Sequence, residues 1–202
     1  MNIECVIRGD DHINNTPKQI NLYESLGWNI PRFAHVPMIL GSDGSRLSKR
    51  HGAVNLMSYR DAGFLPKALL NYIVRLGWSH GNQEIFSVAD MINLFELENI
   101  NKSSASFNKD KLEWINHSYI KTTEINELVS ELEWYLNQLS INLSDGPDIK
   151  EVVEVLRDRS KSLVDMAQNC VMFYHDFEDF DSDLAIKFFN LESRSVLGDL
   201  LI

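Results

Sequence analysis

The sequence predicts an α/β segment at its beginning, followed by a longer region of mostly α-helical domains. Two observations carry this prediction. Within the first forty residues, an apolar run, an amphipathic helical pattern and a second apolar run follow one another, which is typical of half of a parallel α/β layer. After the turn and the basic stretch near residues 41–52, the apolar pattern becomes helical and stays so.

The α/β segment is predicted as strand, helix and strand. Residues 4–8 are apolar and β-branched and end in a Gly-Asp-Asp-His loop, so we expect a buried strand there. A helix is expected to begin at Asn15 or Thr16 and to stop at Gly27. The second strand is expected within residues 32–40, although a proline in its middle weakens the pattern.

The helical region shows start and stop signals for several amphipathic helices. One begins at Pro66 and ends at Gly77, and a capping-box pattern of Ser87 and Asp90 precedes another. Asn108 is expected to cap the next helix. Further helices are predicted over residues 124–139, 148–157 and 160–174, with a linker at residues 144–148.

The composition is that of an ordinary globular protein, with 44% hydrophobic and 24% charged residues. No apolar run is long enough to cross a bilayer, and no signal segment opens the chain. The two cysteines lack the paired spacing of a zinc site or a disulfide framework. We therefore expect a reduced, cytoplasmic setting, no membrane association and no bound zinc or other metal site.

The charge is unevenly distributed along the chain. The net charge of −10 argues against indiscriminate nucleic-acid binding, which depends on Lys and Arg. Residues 1–80 nevertheless carry nine Lys and Arg against six Asp and Glu, whereas the remainder carries ten against 23. A polyanionic partner is therefore expected to meet the first part of the chain or a local patch.

The basic loop, residues 45–52, reads SRLSKRHG and places Arg46, Lys49 and Arg50 within five residues. A phosphate chain needs several converging positive donors, and flanking glycines let such donors move onto it. Lysine supplies a compact charge on a long flexible stem. On composition alone, a basic surface turn is the more common explanation of such a string, and both alternatives stay open here.

The loop after the first predicted strand offers a second group of candidates. Ligands of open α/β sheets bind beyond the carboxyl ends of strands, where Arg8 could pair with a carboxylate and Asp11 and His12 could contact a sugar or a base. Alternatively, the acidic residues only shape the loop and cap the helix. Adjacent carboxylates point apart, which disfavours a magnesium site. Isolated histidines such as His35 are expected to have packing or surface roles.

Four blocks of the sequence stand in a characteristic order. They read VIRGDDHINNTPKQINLYESLGW, PRFAHVPMILGSDGSRLSKRHGA, YRDAGFLPKALLNYIVRLGWSHG and FNKDKLEWINHSYIK. In wording and order they resemble bacterial-type glutamyl-tRNA synthetases, a family of class I aminoacyl-tRNA synthetases. The resemblance extends more weakly through LRDRSKSLVDMAQNC and covers essentially the whole chain.

The resemblance implies a domain organisation. Residues 1–42 would form the second half of a Rossmann-like nucleotide-binding domain, and residues 43–121 a lysine-loop and helical stem-contact domain. Residues 122–202 would begin a helical anticodon-binding domain. The family's His-Ile-Gly-His-type tetrapeptide has no counterpart here, so we expect an internal portion that lacks the N-terminal half of the catalytic domain and the C-terminal end.

The resemblance also implies roles for the basic loop. The family's Lys-Met-Ser-Lys-Ser loop steadies the ATP phosphates, and its counterpart here is Arg46-Leu47-Ser48-Lys49-Arg50. Lys49 matches the lysine assigned to ATP, and Arg46 and Ser48 join it as implied catalytic residues. Arg46 replaces the family's first lysine, which keeps the charge but changes the donor geometry.

Residues outside the basic loop receive implied roles as well. Arg8 matches an arginine that reads the glutamate carboxylate, whereas Asp11, His12 and the backbone near Ile39 would line the ATP pocket. The implied reaction is ATP-dependent activation of glutamate and its transfer to the 3′ end of tRNA(Glu). Mg²⁺ would arrive with ATP, and the full-length protein would be monomeric. Because the N-terminal half of the catalytic domain is expected to be missing, this chain alone is expected to be inactive.

There are three alternatives to a glutamyl-tRNA synthetase, one a binding module and two related enzymes. The chain could be a non-catalytic module that binds tRNA or a partner protein. It could resemble the shortened paralogue that glutamylates a modified tRNA base, but the helices after residue 121 disfavour that family. The glutaminyl relative is disfavoured because RGDDHINNTPKQ resembles the glutamyl type.

Overall fold

The structure, a computed structural model, describes residues 3–41, 43–47, 55–175 and 182–189, together with Ser193 and Val196. Three residues with implied roles, Ser48, Lys49 and Arg50, lie outside the described residues. Within the described part of the chain, no helix combines the length and apolar character needed to cross a membrane.

The predicted α/β segment is confirmed. Strand β1 (Cys5–Gly9) is followed by a 3₁₀ helix at Asp10–Asn15, by helix α1 (Thr16–Ser25) and by strand β2 (Arg32–Val36). The two strands pair in parallel, with Arg8 opposite His35. Strand β2 ends immediately before a proline, which has no N–H for a ladder hydrogen bond. The segment expected to be a loop after β1 is thus largely a short helix.

The helix α1 ends where the sequence places its stop signal. Gly27 has a φ angle of +65°, in the left-handed region that glycine adopts without steric cost. Its N–H donates to the carbonyl of Glu24, and the N–H of Trp28 donates to that of Tyr23. These bonds satisfy carbonyls of the last helical turn and turn the chain toward β2.

The expectation that the first strand is buried is wrong. Ile7 in β1 is 49% exposed, because the described sheet has two strands and no second layer covers this part of it. Other large apolar side chains of the α/β segment are exposed too, and Trp28 reaches 61%. The exposed large apolar side chains of this segment are Ile3, Ile7, Ile13, Leu22, Leu26, Trp28 and Ile30.

The rest of the described chain is helical, as predicted. The α-helices are α2 (Leu56–Asp61), α3 (Pro66–Gly77), α4 (Val88–Leu94), α5 (Lys109–Thr122), α6 (Ile125–Gln138), α7 (Ile149–Leu156), α8 (Leu163–Tyr174) and α9 (Ser182–Phe188). Short 3₁₀ helices occur at Leu97–Asn99 and Leu143–Asp145. The sequence analysis did not anticipate α2, which is only six residues long.

Capping side chains set the helix starts. Ser87 and Asp90 form the predicted capping box of α4, and the Asn108 side chain accepts a hydrogen bond from the Lys111 N–H of α5. Helix α8 begins three residues later than expected. Its cap is Ser162, whose hydroxyl accepts a hydrogen bond from the N–H of Asp165.

One hydrophobic core joins the helices on both sides of residue 122. Its fully buried members include Ala68 of α3, Ile115 of α5 and Leu132 of α6, with Val153 and Met166 from α7 and α8. None of the buried residues of this cluster comes from β1, α1 or β2. The main core therefore belongs to the helical region.

Arg157 connects α7 to the end of α5. Its Nη2 donates to the carbonyl oxygens of Ile120, Lys121 and Thr123 at 3.2, 2.6 and 2.7 Å, and its Nη1 pairs with Glu154 at 2.9 Å. A cation at a helix C-terminus satisfies carbonyls that lack intrahelical partners. This side chain thereby fixes the two helices to each other.

Candidate functional site

The described residues that lead into the basic loop, 41 and 43–47, form a tight, hydrogen-bonded turn. The N–H of Gly41 donates to the carbonyl of Ser45 at 2.8 Å, and the N–H of Leu47 donates to that of Ile39 at 2.8 Å. The carboxylate of Asp43 accepts hydrogen bonds from the backbone and hydroxyl of Ser45. The base of the loop is therefore held against the chain that follows β2.

The same stretch is attached to the helical region. The N–H of Leu40 donates to the carbonyl of Ala105 at 2.9 Å, and the N–H of Phe107 donates to the carbonyl of Leu40 at 2.8 Å. Leu40 thus bridges Arg46 on one side and Ser106 on the other. Since α5 begins just after Phe107, the base of the basic loop is fixed to the main core.

The structure brings the loop after β1 and the basic loop together. An Arg46 guanidinium nitrogen lies 3.7 Å from an Asp11 carboxylate oxygen, and the His12 Nε2 lies 3.9 Å from the other oxygen. The side chains of Asp11 and Arg46 are 36% and 67% exposed, so the pair adds little stability. It does place three predicted site residues side by side.

Gly9 makes room for this arrangement at the end of β1. A Cβ atom at this position would lie 2.5 Å from the Asp11 Oδ1, which is closer than real Cβ contacts allow. A larger residue at position 9 would therefore displace the flexible Asp11 side chain from the strand end. This contact was not visible in the sequence pattern.

Arg8 lies in a different environment. Its Nη2 donates to the Thr16 hydroxyl at 2.7 Å, its Nε lies 3.4 Å from the His35 Nε2, and its Cζ lies 5.2 Å from the centre of the Phe33 ring. The side chain of this residue is half-buried. The ring of His35, for which a packing or surface role was expected, contacts this predicted site residue.

The charge of Arg8 has no acidic partner within the described ranges. Half-buried charges in proteins are usually paired with an opposite charge. Five other arginines of the described chain each lie within 4 Å of a carboxylate oxygen: Arg32, Arg46, Arg60, Arg75 and Arg157. Arg8 instead meets a hydroxyl, an imidazole and an aromatic ring. Among the described residues, no hydrogen bond or ion pair joins Arg8 to Asp11 or Arg46.

A cleft of about 590 Å³ lies between β2 and the segment that follows α4. Phe33 and His35 line it, and its charged residues are two basic ones and two acidic ones: Arg32, Lys102, Asp10 and Glu98. The sequence analysis missed Thr16, Phe33 and His35. The strand register would have revealed one of them, since it sets His35 opposite Arg8.

A resident metal site is not formed by the side chains that the structure describes. No group of three or more His, Cys, Asp or Glu residues in those ranges is arranged to hold a metal ion. The Asp11 carboxylate is directed toward Arg46 and the His12 ring of the chain itself.

Two family models match the chain. A model of class I tRNA synthetases (E and Q), catalytic domain, matches residues 1–114, and a model of an anticodon-binding domain matches residues 127–201. The first match contains all the predicted site residues.

Curated relatives carry the name Glutamate--tRNA ligase. The chain is 63% identical to that of Vesicomyosocius okutanii subsp. Calyptogena okutanii over 94% of its length, and 60% identical to that of Ruthia magnifica subsp. Calyptogena magnifica over 93%. It is 54% identical to Glutamate--tRNA ligase 1 of Nitrosococcus oceani over 99%. The chain spans 42%, 41% and 42% of these relatives.

Solved structures agree with the relatives. A glutamate tRNA ligase from Elizabethkingia meningosepticum, in complex with its amino acid, has a TM-score of 0.81 at 28% identity and covers 98% of this chain and 43% of that one. The glutamate-tRNA synthetase from Elizabethkingia anophelis has a TM-score of 0.78 at 29% identity, with 92% and 41% covered. The predicted resemblance to glutamyl-tRNA synthetases is confirmed, and the protein belongs to the class I tRNA synthetases of the E and Q type.

Proposed function

We propose that this chain supplies the ATP-phosphate contacts and the carboxylate reader of a glutamate–tRNA ligase. The reaction is ATP-dependent activation of glutamate, followed by transfer of the glutamyl group to the 3′ end of tRNA(Glu). The contact between Asp11 and Arg46 carries this proposal, because it joins the loop after β1 to the base of the basic loop. Two stretches that are distant in sequence thus face one ligand position.

ATP would bind where these two loops meet. Positive donors that are aimed at the phosphates stabilise the charge that develops when the α-phosphate is attacked and pyrophosphate leaves. Arg46 is exposed and only weakly paired, so phosphate oxygens can replace the Asp11 carboxylate. We assign the main phosphate contact to Lys49, assisted by Ser48 and Arg50, and the ribose or base to Asp11, His12 and the backbone near Ile39.

Glutamate would be read by Arg8. A guanidinium binds a carboxylate through two parallel hydrogen bonds, and such charged pairs are the stronger ones. Because no carboxylate of the described chain neutralises Arg8, its charge remains available for an anionic substrate. The same feature favours glutamate over glutamine, whose amide carries no charge.

The match to an anticodon-binding domain supports tRNA as the second substrate. The helical region is strongly acidic, so contacts with the phosphate backbone would depend on local basic patches. A monomeric full-length protein and a cytoplasmic location belong to this proposal as well. So does the division into residues 1–42, 43–121 and 122–202.

The proposal is tested with a chimera in which this chain replaces the matching region of the Nitrosococcus oceani ligase. We expect glutamate-dependent ATP–pyrophosphate exchange from the chimera. The substitution Lys49→Ala should slow the exchange by about 10²- to 10³-fold, the usual cost of losing one preorganised donor. Lys150→Ala, at an exposed position of α7, is the matched control and should leave the rate unchanged.

Two results would contradict the proposal. The first is a folded but inactive chimera beside an active Nitrosococcus oceani ligase. The second is an unchanged exchange rate in the Lys49→Ala variant, which would remove the assigned role of the basic loop.

A non-catalytic module that binds tRNA or a partner is the second candidate, and the match of residues 127–201 to an anticodon-binding domain favours tRNA. On this hypothesis, the isolated chain binds tRNA without activating glutamate. Salt-sensitive tRNA binding without exchange activity by the isolated 202 residues would support it. Exchange activity of the isolated chain would refute it.

A further inference from the structure

Arg8 is held by two side chains from different elements of the α/β segment. Thr16 is the first residue of α1, and His35 lies in β2 directly opposite Arg8. The Thr16 Oγ1 and the His35 Nε2 also lie 3.1 Å from each other, so the three groups form a closed triangle. The Phe33 ring lies beside the guanidinium, with its centre 5.2 Å from the Arg8 Cζ.

The direction of the hydrogen bond between Arg8 and His35 follows from its donor. An arginine Nε can only donate a hydrogen bond, so the His35 Nε2 accepts it at 3.4 Å. A ring nitrogen accepts through its lone pair, so this contact uses the tautomer that carries its hydrogen on Nδ1. The Thr16 hydroxyl accepts from the Arg8 Nη2, and its oxygen lies 3.1 Å from the same Nε2.

These contacts leave one edge of the guanidinium open. Nε and Nη2 form the edge that faces His35 and Thr16. Nη1 and Nη2 form the other edge, and Nη1 has no hydrogen-bond partner among the residues that the structure describes. This open edge is where a carboxylate can bind in bidentate fashion.

We propose that Thr16 and His35 are positioning residues, which orient the Arg8 guanidinium for a substrate carboxylate through neutral hydrogen-bond acceptors. Neutral acceptors fix the group without cancelling its charge, whereas a carboxylate in their place would compete with the substrate. The carboxylate as ligand rests on the proposed function. The positioning itself rests on the geometry alone.

The first test reads the positioning in the 202-residue chain by NMR and needs no activity. We expect an unprotonated Nε2 in the ¹⁵N signals of His35 and a protected Arg8 Nε–Hε. His35→Phe removes the acceptor but keeps a ring, and it should speed Hε exchange with water about tenfold or more, as for one lost charged hydrogen bond. A protonated Nε2, or an unchanged Hε exchange rate, would overturn the proposal.

The second test uses the chimera and separates the two substrates. Thr16→Val keeps the shape but removes the hydroxyl, and it should raise the KM for glutamate about tenfold while the KM for ATP stays within about twofold. Thr16→Ser restores a hydroxyl and should recover most of the affinity. Thr122→Val, whose hydroxyl bonds only backbone carbonyls of α5, is the matched control.

A double-mutant cycle distinguishes positioning from a general structural effect. If Thr16 acts through Arg8, Thr16→Val should add nothing to the KM for glutamate in an Arg8→Met background. An equal further loss in that background would refute the positioning role. An inactive chimera would refute the proposed function instead, and the NMR result would still decide whether Arg8 is held as described.

Discussion

Asn116 is completely buried in the helical core and bonds backbone groups of two separate loops. Its Oδ1 accepts from the N–H of Leu65 at 2.8 Å, and its Nδ2 donates to the carbonyls of Lys161 at 2.7 Å and Gly63 at 3.4 Å. Loops before α3 and before α8 thus meet at one amide. Buried backbone groups of this kind are costly to leave unpaired.

Asn116→Ala should therefore lower the free energy of unfolding by about 2–4 kcal/mol, because several buried polar groups lose their partners at once. Asn126→Ala is the matched control, since its side chain is exposed and bonds only Glu124, and it should change the free energy by less than about 0.5 kcal/mol. Urea unfolding followed by circular dichroism measures both. Equal effects of the two variants would contradict the role of Asn116.

Residue types alone predicted part of the candidate site. Arg8, Asp11, His12 and Arg46 stand out because charged groups follow strand-like runs. The contact of Arg8 with His35 depends on the strand register, and a one-residue shift of that register would turn His35 to the other face. Single-residue reasoning therefore treated His35 as isolated.

At the scale of elements, helices were predictable where a capping side chain marks their start. Ser87 and Asn108 fulfil that role as expected. Helix α8 differs by three residues because Ser160 and Ser162 are both plausible caps by type. The structure selects Ser162 and buries Ser160, whose hydroxyl donates to the carbonyl of Leu156. Tertiary packing therefore determines which of the two serines caps α8.

The guanidinium of Arg157 donates hydrogen bonds to carbonyls at the C-terminal end of α5, and a substitution of this residue tests their contribution to stability. Arg157→Met keeps much of the side-chain length but removes the donors to three carbonyls. We expect a loss of about 2–3 kcal/mol in the free energy of unfolding, as for hydrogen bonds from a charged donor. Urea unfolding at neutral pH measures it.

Arg159→Met serves as the control for this prediction. Arg159 is two residues away, and its side chain is exposed. Its substitution should change the free energy by less than about 0.5 kcal/mol. If both variants unfold at the same urea concentration as the parent chain, the Arg157 contacts contribute nothing to stability and the assignment is wrong.

At the scale of the whole molecule, the order of an α/β segment and a helical region follows from hydrophobic periodicity. The exposure of β1 does not, because an apolar run such as residues 4–8 reads the same whether or not a second layer covers it. The hydrophobic periodicity also could not predict that one core continues from α3 to α8. It depends on which helix faces meet, and periodicity gives only one face at a time.

The absence of β1, α1 and β2 from the main core has a consequence for local opening. Segments with little buried apolar contact open at a lower free energy than the core, so their amide hydrogens exchange earlier. We expect the amides of α1 to exchange at least about tenfold faster than those of α8, a helix of similar length in the core. Native-state hydrogen exchange would measure this gradient, and equal protection of the two helices would contradict it. On this expectation, the segment that carries Arg8 opens more readily than the helical core, so a ligand bound there should slow amide exchange most in that segment.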